Sequence, residues 1–185
     1  MRKAIIAMVV IGAGAYAWWA FAAQQRSARP AVDPASALVG TRVGNRAPDF
    51  TIRAVGGQTI RLSDFIGRKP LVITSIATWC STCIYEAEQF APVYREVRDR
   101  AEFLTVSIDP SDDILAIEAF RVNLDTPWFY AQAQAPGVPE LLRAYELNRF
   151  EITYVIDRNG IIRFADRTIT SSATLRAALR AVLES

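Results

Sequence analysis

Two kinds of apolar spacing alternate along this chain from Pro48 onward. Short apolar runs of strand type are followed by stretches in which apolar side chains return every three or four positions, the spacing that gives a helix one apolar face. Leu71 to Ile76 and Phe103 to Ile108 read as buried strands, since every position in them is apolar or a small hydroxyl residue. Between them Ile84, Ala87, Phe90, Ala91, Tyr94, Val97 and Ala101 repeat at helical spacing. Pro92 falls inside this helix and cannot donate to the carbonyl of Glu88, which predicts a kink and not a break. Ile114, Leu115, Ile117 and Phe120 predict a second helix, Pro127 to Ala131 a short strand, and Val138 to Leu147 a third helix. Ile152 to Ile156 and Ile161 to Phe164 flank Asp157-Arg158-Asn159-Gly160, whose Asn-Gly pair tolerates positive φ, so they should form an antiparallel hairpin. Leu175, Ala178, Leu179, Val182 and Leu183 give a C-terminal amphipathic helix with Ser171 or Ser172 as its N-cap. Ahead of these, Asp49 to Leu62 holds Gly56-Gly57 between two short strand candidates, a small hairpin leading into Ser63-Asp64-Phe65. The alternation is that of an α/β sheet with helices packed on its faces.

The N-terminus follows a different pattern. Arg2 and Lys3 precede 20 uncharged residues, Ala4 to Ala23, which as a helix at about 1.5 Å per residue would span the roughly 30 Å core of a bilayer. Residues 1–23 therefore read as a membrane anchor or an export signal. A cleaved signal usually has an apolar region of about 7 to 15 residues, so the length favours an uncleaved anchor, although Ala20-Phe21-Ala22 matches the small-x-small cleavage pattern. Tyr16, Trp18, Trp19 and Phe21 gather at the far end, where aromatic rings settle at a membrane interface. Residues 24–43, with Pro30 and Pro34, read as a linker, and 44–185 as the folded domain. Arg26 and Arg29 nearly balance Arg2, Lys3 and the amino terminus; the expected orientation puts the N-terminus inside the cell membrane and the domain on its periplasmic or other extracytoplasmic side.

Composition narrows the chemistry. The length of 185 residues fits one globular domain plus an appendage. The net charge of +2 arises from the first 43 residues, with five Lys/Arg and one Asp, whereas the remainder holds 16 Lys/Arg against 18 Asp/Glu. A near-neutral domain gives no case for a nucleic-acid partner. Histidine is absent from the sequence, which removes imidazole bases, His-bearing metal sites and Ser/Cys-His pairs. Two cysteines remain to carry unusual chemistry.

Cys80 and Cys83 lie in Thr78-Trp79-Cys80-Ser81-Thr82-Cys83, where a predicted strand turns into a predicted helix. A helix N-terminus favours negative charge, so Cys80 is the better-placed nucleophile. One helical turn brings Cys83 within disulfide range, so that it can attack a mixed disulfide on Cys80 and release the reduced partner; the pair also runs in reverse. As a purely structural disulfide so small a loop would be a weak staple, and structural zinc needs four Cys/His ligands where this chain has two. No metal and no cofactor is expected. Trp79 reads either as an ordinary core aromatic or as a shield for the sulfurs that shapes the partner surface. Glu86 follows Cys83 by three residues, on a neighbouring helical face, either as a carboxylate that accepts and returns protons during exchange or as a solvated helix residue.

These residues also carry a family resemblance. Ala47-Pro48-Asp49-Phe50, Leu62-Ser63-Asp64-Phe65 with Gly67, the run Ala77 to Cys83 with Glu86, and Tyr154-Val155-Ile156-Asp157-Arg158-Asn159-Gly160 resemble the thioredoxin-like fold in the membrane-anchored, TlpA-like branch of the thiol-disulfide oxidoreductases. The resemblance covers about Gly44 to Ser185. It implies a central mixed sheet flanked by helices, with an N-terminal hairpin extension and one N-terminal transmembrane helix. It also implies that Cys80 attacks, Cys83 resolves, Glu86 assists proton movement and the segment before the Tyr154 strand touches the partner. Such a partner is a client protein with a cysteine pair, in cytochrome c or cytochrome oxidase maturation, served by a membrane or periplasmic redox donor. The family places a cis-proline six residues before the Asp157 position, and this chain has Glu151 there. A cis bond before a non-proline residue costs about 2.5 to 4 kcal/mol, so a trans bond is predicted, with Phe150, Glu151 and Ile152 as the candidate rim of the partner groove.

Val106-Ser107-Ile108-Asp109-Pro110-Ser111-Asp112-Asp113 is similar to the SCO-like copper-handling family. The resemblance raises an alternative, a copper-binding assembly factor for cytochrome oxidase that uses both thiols. The SCO-like site pairs cysteines at wider spacing with a histidine, which this chain lacks, so only Cu(I) suits it. A peroxiredoxin motif wants Pro-x-x-x-Thr/Ser-x-x-Cys, and Val72-Ile73 and Ala77 occupy those places before Cys80, so peroxidase activity is not expected. The direction of electron flow is set by how strongly the fold stabilises the Cys80 thiolate, not by Ser81-Thr82 alone.

Overall fold

A computed structural model describes residues 36–184. The apolar segment at 4–23, with its expected transmembrane helix, lies outside the described residues. Among the described residues no helix is long and apolar enough to cross a membrane. The end of the expected linker turns back on the domain, since Arg46 N–H donates to Leu38 O and Gly40 N–H to Arg46 O.

The first sheet is a hairpin of β1 (Thr51–Arg53) and β2 (Thr59–Arg61), each burying only its middle residue, Ile52 and Ile60. The alternation of Thr-Ile-Arg in both strands is why one face is core and the other solvent. A 3-10 turn at Leu62–Asp64 follows, its Asp64 carboxylate accepting the Arg61 N–H at 2.9 Å.

The second sheet has five strands in the order β5-β4-β3-β6-β7. Here β3 is Leu71–Ile76, β4 Glu102–Ser107, β5 Phe129–Ala131, β6 Thr153–Ile156 and β7 Ile162–Asp166. β3, β4 and β5 run parallel, while β6 and β7 are antiparallel to their neighbours, so the sheet is mixed. All six residues of β3 are buried, as its unbroken apolar and small composition requires of a central strand. The parallel β3–β4 connection is helix α1 (Ser81–Val97), which continues through Pro92. α2 (Ile114–Asn123) carries the chain from β4 toward β5, α3 (Val138–Ala144) lies between β5 and β6, and α4 (Ser172–Leu183) closes the chain. Ser171 caps α4, accepting the Thr174 N–H at 3.2 Å.

Successive strand residues face opposite sides, and this divides the core in two. Val72, Ile76 and Phe103 pack with Phe90, Val93 and Tyr94 of α1 and with Leu175, Leu179 and Val182 of α4. Leu71, Ile73 and Leu104 pack on the other face with Ile52 and Ile60 of the hairpin and with Val138 and Leu141 of α3. The third helix stops before Leu147, where its apolar spacing predicts it to end. Glu146 takes a left-handed φ of 53°, and the N–H groups of Glu146 and Leu147 bond back to Arg143 O and Leu142 O in a Schellman termination. In the β6–β7 turn the positive φ falls on Gly160, while Asp157 accepts the N–H groups of Asn159 and Ile161 and the Nε of Arg163.

Candidate active site

β3 delivers the chain at its C-terminal end into Ala77, Thr78 and Trp79, and Cys80 becomes the N-cap of α1. The Cys83 N–H donates to Cys80 Sγ at 3.2 Å, and the Thr82 hydroxyl lies 3.2 Å from the same sulfur. Cys80 and Cys83 are joined as a disulfide with Cα atoms 5.2 Å apart. Cys80 is 6% exposed and Cys83 fully buried, so the first sulfur is the outer one. An attacking thiolate on Cys80 would keep the helix N–H and the hydroxyl as donors, the arrangement that stabilises a charged sulfur.

Two aspartates brace this turn. Asp112, itself buried, accepts the Thr78 N–H at 2.9 Å, the Thr78 hydroxyl at 2.5 Å and the Ser107 hydroxyl at 2.6 Å. Asp109 accepts the Trp79 indole N–H at 2.5 Å. The stretch Val106–Asp113 thus steadies the cysteine turn from the neighbouring strand. Sequence reasoning assigned no such role to Asp109 or Asp112; the available signal was two acids just past a strand that runs parallel beside the motif strand. Trp79 is 64% exposed, which sets aside the core-aromatic alternative, and its ring meets Phe150 edge-on at 5.3 Å.

The opposing loop has no cis peptide bond. Glu151 instead adopts a left-handed φ of 62°, a conformation that costs a non-glycine residue about 1 to 3 kcal/mol. Ser75 on β3 holds it there. Glu151 N–H donates to Ser75 O, Ser75 N–H to Ile152 O, Ile152 N–H to Ser75 Oγ, and the Ser75 hydroxyl to Arg149 O, all at 2.9 to 3.1 Å. Ile152 leaves the expected rim: its side chain is fully buried in the core shared with the hairpin and α3, so it seats the loop from beneath and offers a partner no side chain. Phe150 and Glu151 remain on the exposed side. Replacing Ser75 with alanine strands the buried Ile152 N–H without its acceptor, and is expected to cost about 2 kcal/mol. Denaturant unfolding checks that loss, and faster hydrogen exchange at the Glu151 and Ile152 amides would accompany it.

The carboxylate of Glu151 closes the site. One of its oxygens and the Sγ atoms of Cys80 and Cys83 all lie within 4.8 Å of one another. The carboxylate thus stands beside the Cys80–Cys83 disulfide.

Glu86 lies one turn beyond Cys83 on the buried face of α1, not in solvent. Its carboxylate accepts the Thr170 N–H at 2.8 Å and the Thr74 hydroxyl at 3.3 Å. Burial pushes its pKa up to about 7 against the pull of those two hydrogen bonds, and the negative charges of Glu151 and Asp166 add to the rise. A group of that strength exchanges protons at neutral pH.

Residues 43–165, which include every one of these groups except Thr170 and Asp166, match the family described as AhpC/TSA. The chain belongs to the AhpC/TSA family. Among AhpC/TSA relatives, the thiol-disulfide oxidoreductase ResA of Oceanobacillus iheyensis is 29% identical over 126 residues, covering 65% of this chain and 62% of that protein. Alkyl hydroperoxide reductase E of Mycobacterium bovis is 32% identical over 134 residues, covering 67% of this chain and 84% of that protein. A solved thiol:disulfide interchange protein of the thioredoxin family from Chlorobium tepidum shares the fold with a TM-score of 0.66 at 20% identity, over 77% of this chain and 97% of that one. The central mixed sheet flanked by helices is therefore thioredoxin-like, as the resemblance implied. Family and relatives support an oxidoreductase activity for this chain, and the Cys80–Cys83 disulfide lies within the matched residues.

Proposed function

We propose that this chain is a membrane-tethered thiol-disulfide oxidoreductase that exchanges electrons with a cysteine pair of a client protein outside the cytoplasm, in cytochrome c or cytochrome oxidase maturation. The observation that carries the exchange chemistry is the polarity of the pair: the outer sulfur, Cys80, caps a helix and receives its N–H, while Cys83 is fully buried behind it. The tether and the location rest on Arg2 and Lys3 ahead of the apolar stretch 4–23.

In the reducing direction the Cys80 thiolate attacks one sulfur of the client disulfide; the new S–S bond forms as the client bond breaks, and the other client sulfur leaves as a thiolate. Cys83 then loses its proton, attacks Cys80 Sγ and expels the second client thiolate. Two electrons pass to the client, Cys80 and Cys83 become the disulfide, and the client thiolates take up two protons. Glu86, titrating near neutrality, relays the proton from Cys83. A membrane or periplasmic dithiol donor returns the pair to its reduced state by the same steps in reverse. The 32% identity to an alkyl hydroperoxide reductase does not extend the proposal to peroxide, because Ile73 and Ala77 stand where the peroxidase motif has Pro and Thr/Ser.

Capture tests the proposal. The full chain carrying Cys83→Ser is expected to accumulate mixed disulfides through Cys80 with extracytoplasmic proteins, released by reductant. A reactive Cys80 thiol that accumulates no adduct would overturn the exchange mechanism, and adducts confined to cytoplasmic proteins would overturn the location.

A further inference from the structure

The loop facing the dithiol puts an acid where a proline is expected, and the backbone is shaped to hold it. Glu151 occupies a left-handed conformation that non-glycine residues rarely take, and four hydrogen bonds to Ser75, the neighbour of Ile76 at the end of the strand feeding the cysteine motif, fix the loop around it. The result is a carboxylate oxygen within 4.8 Å of both sulfurs. Among the described residues no Arg or Lys forms an ion pair with it. The carboxylates of Glu151 and Asp166 both act on Glu86, and the two aspartates tied to the cysteine turn, Asp109 through the Trp79 indole and Asp112 through Thr78, are acids as well.

We propose that Glu151 is a third member of the redox centre, a charged group that opposes the Cys80 thiolate and so biases the pair toward the disulfide, making the reduced protein a stronger electron donor. The inference rests on the thiol-exchange function proposed above and names what sets its direction. Two influences meet at Cys80 Sγ. The Cys83 N–H and the Thr82 hydroxyl favour the thiolate, and the adjacent carboxylate disfavours it. A like charge within about 4 to 6 Å moves a pKa by about 1 to 3 units, enough to offset a helix terminus. Reduction of the disulfide by two electrons places at least one new charge or proton beside Glu151. Where the pH lies above the Cys80 transition, the reduced pair carries the penalty of a thiolate beside a carboxylate and the disulfide does not, so the balance moves toward the disulfide.

The test uses the full chain in detergent, reduced, with the pH dependence of iodoacetamide alkylation at Cys80 as one readout and the equilibrium with dithiothreitol as the other. Glu151→Gln is expected to lower the Cys80 transition by about one pH unit or more and, at a pH above the transitions of both chains, to shift the equilibrium about tenfold toward the dithiol, which corresponds to about 30 mV. Glu151→Asp keeps the charge and is expected to stay closer to the parent chain in both. An unchanged Cys80 transition in the Gln variant overturns the inference, and so do equal shifts in the Gln and Asp variants, which would trace the effect to loop packing. Failure of the exchange function itself is distinguishable: the parent chain would then leave a disulfide-bonded client unreduced whatever its Cys80 pKa.

Discussion

Replacing Glu86 with glutamine is expected to stabilise the folded, disulfide-bonded chain at pH 8 by roughly 3 kcal/mol relative to its effect at pH 4. The cause is a carboxyl group that folding buries. Its pKa rises from 4.5 in the exposed state to about 7 in the fold, and each unit is worth about 1.4 kcal/mol between the two protonation states. Between these values the folded state holds a proton that the unfolded state has released, so stability from this group is complete below about pH 4.5 and is lost as the pH rises through about 7. Glutamine has no such dependence: its oxygen accepts from Thr170 N–H, and its NH₂ faces Thr74 Oγ1, whose hydroxyl loses the acceptor it had in Glu86, a cost that is the same at both pH values and cancels in the comparison. Denaturant unfolding of parent and variant at the two pH values measures the difference, and parallel stability curves would show that Glu86 does not titrate in this window. The same substitution removes the proton relay from Cys83, so exchange should slow as stability rises, the trade that a strained functional group makes against the fold.

Loss of Asp112 should be damaging in the opposite sense. Asp112→Ala is expected to destabilise the domain by about 3 kcal/mol or more, because one truncation strips the acceptor from the Thr78 N–H, the Thr78 hydroxyl and the buried Ser107 hydroxyl together. Asp112→Asn keeps one acceptor oxygen and should lose less. Asp109→Ala removes the acceptor of the Trp79 indole and of the Ser111 N–H and hydroxyl, all on the solvent side of the loop, and should cost about 1 kcal/mol while loosening Trp79. Unfolding of the three variants ranks them; an Asp112→Ala loss no larger than that of Asp109→Ala would mean the cysteine turn does not depend on this brace.

Much of the architecture was legible because burial leaves a periodic trace. β3 reads as central from Leu71-Val72-Ile73-Thr74-Ser75-Ile76, and α1 continues through Pro92 because Val93, Tyr94 and Val97 keep the apolar face going. The ends were less legible. Leu147 extends the apolar spacing of α3 past Tyr145, but the left-handed Glu146 ends the helix first. The dithiol could be found from spacing alone, since its chemistry depends on two residues one turn apart at a helix start. Its surroundings could not, because they come from distant segments. Glu86 is buried by Thr170, 84 positions away, and Ser75 reaches Arg149 across 74. Ile152 illustrates the same limit: adjacency to the partner loop suggested a rim position, whereas the alternation entering β6 turns its side chain into the core.

The clamp made by Ser75 has a mechanical consequence. One strand supports both jaws of the site, sending the cysteine turn out of its end and gripping the facing loop from the residue before Ile76. Any displacement of β3 carries sulfurs and carboxylate together, so the gap between them is a gauge of fixed width. Pushing on the sheet does not widen it, and the Trp79 ring, packed edge-on against Phe150, spans the two jaws on the exposed side.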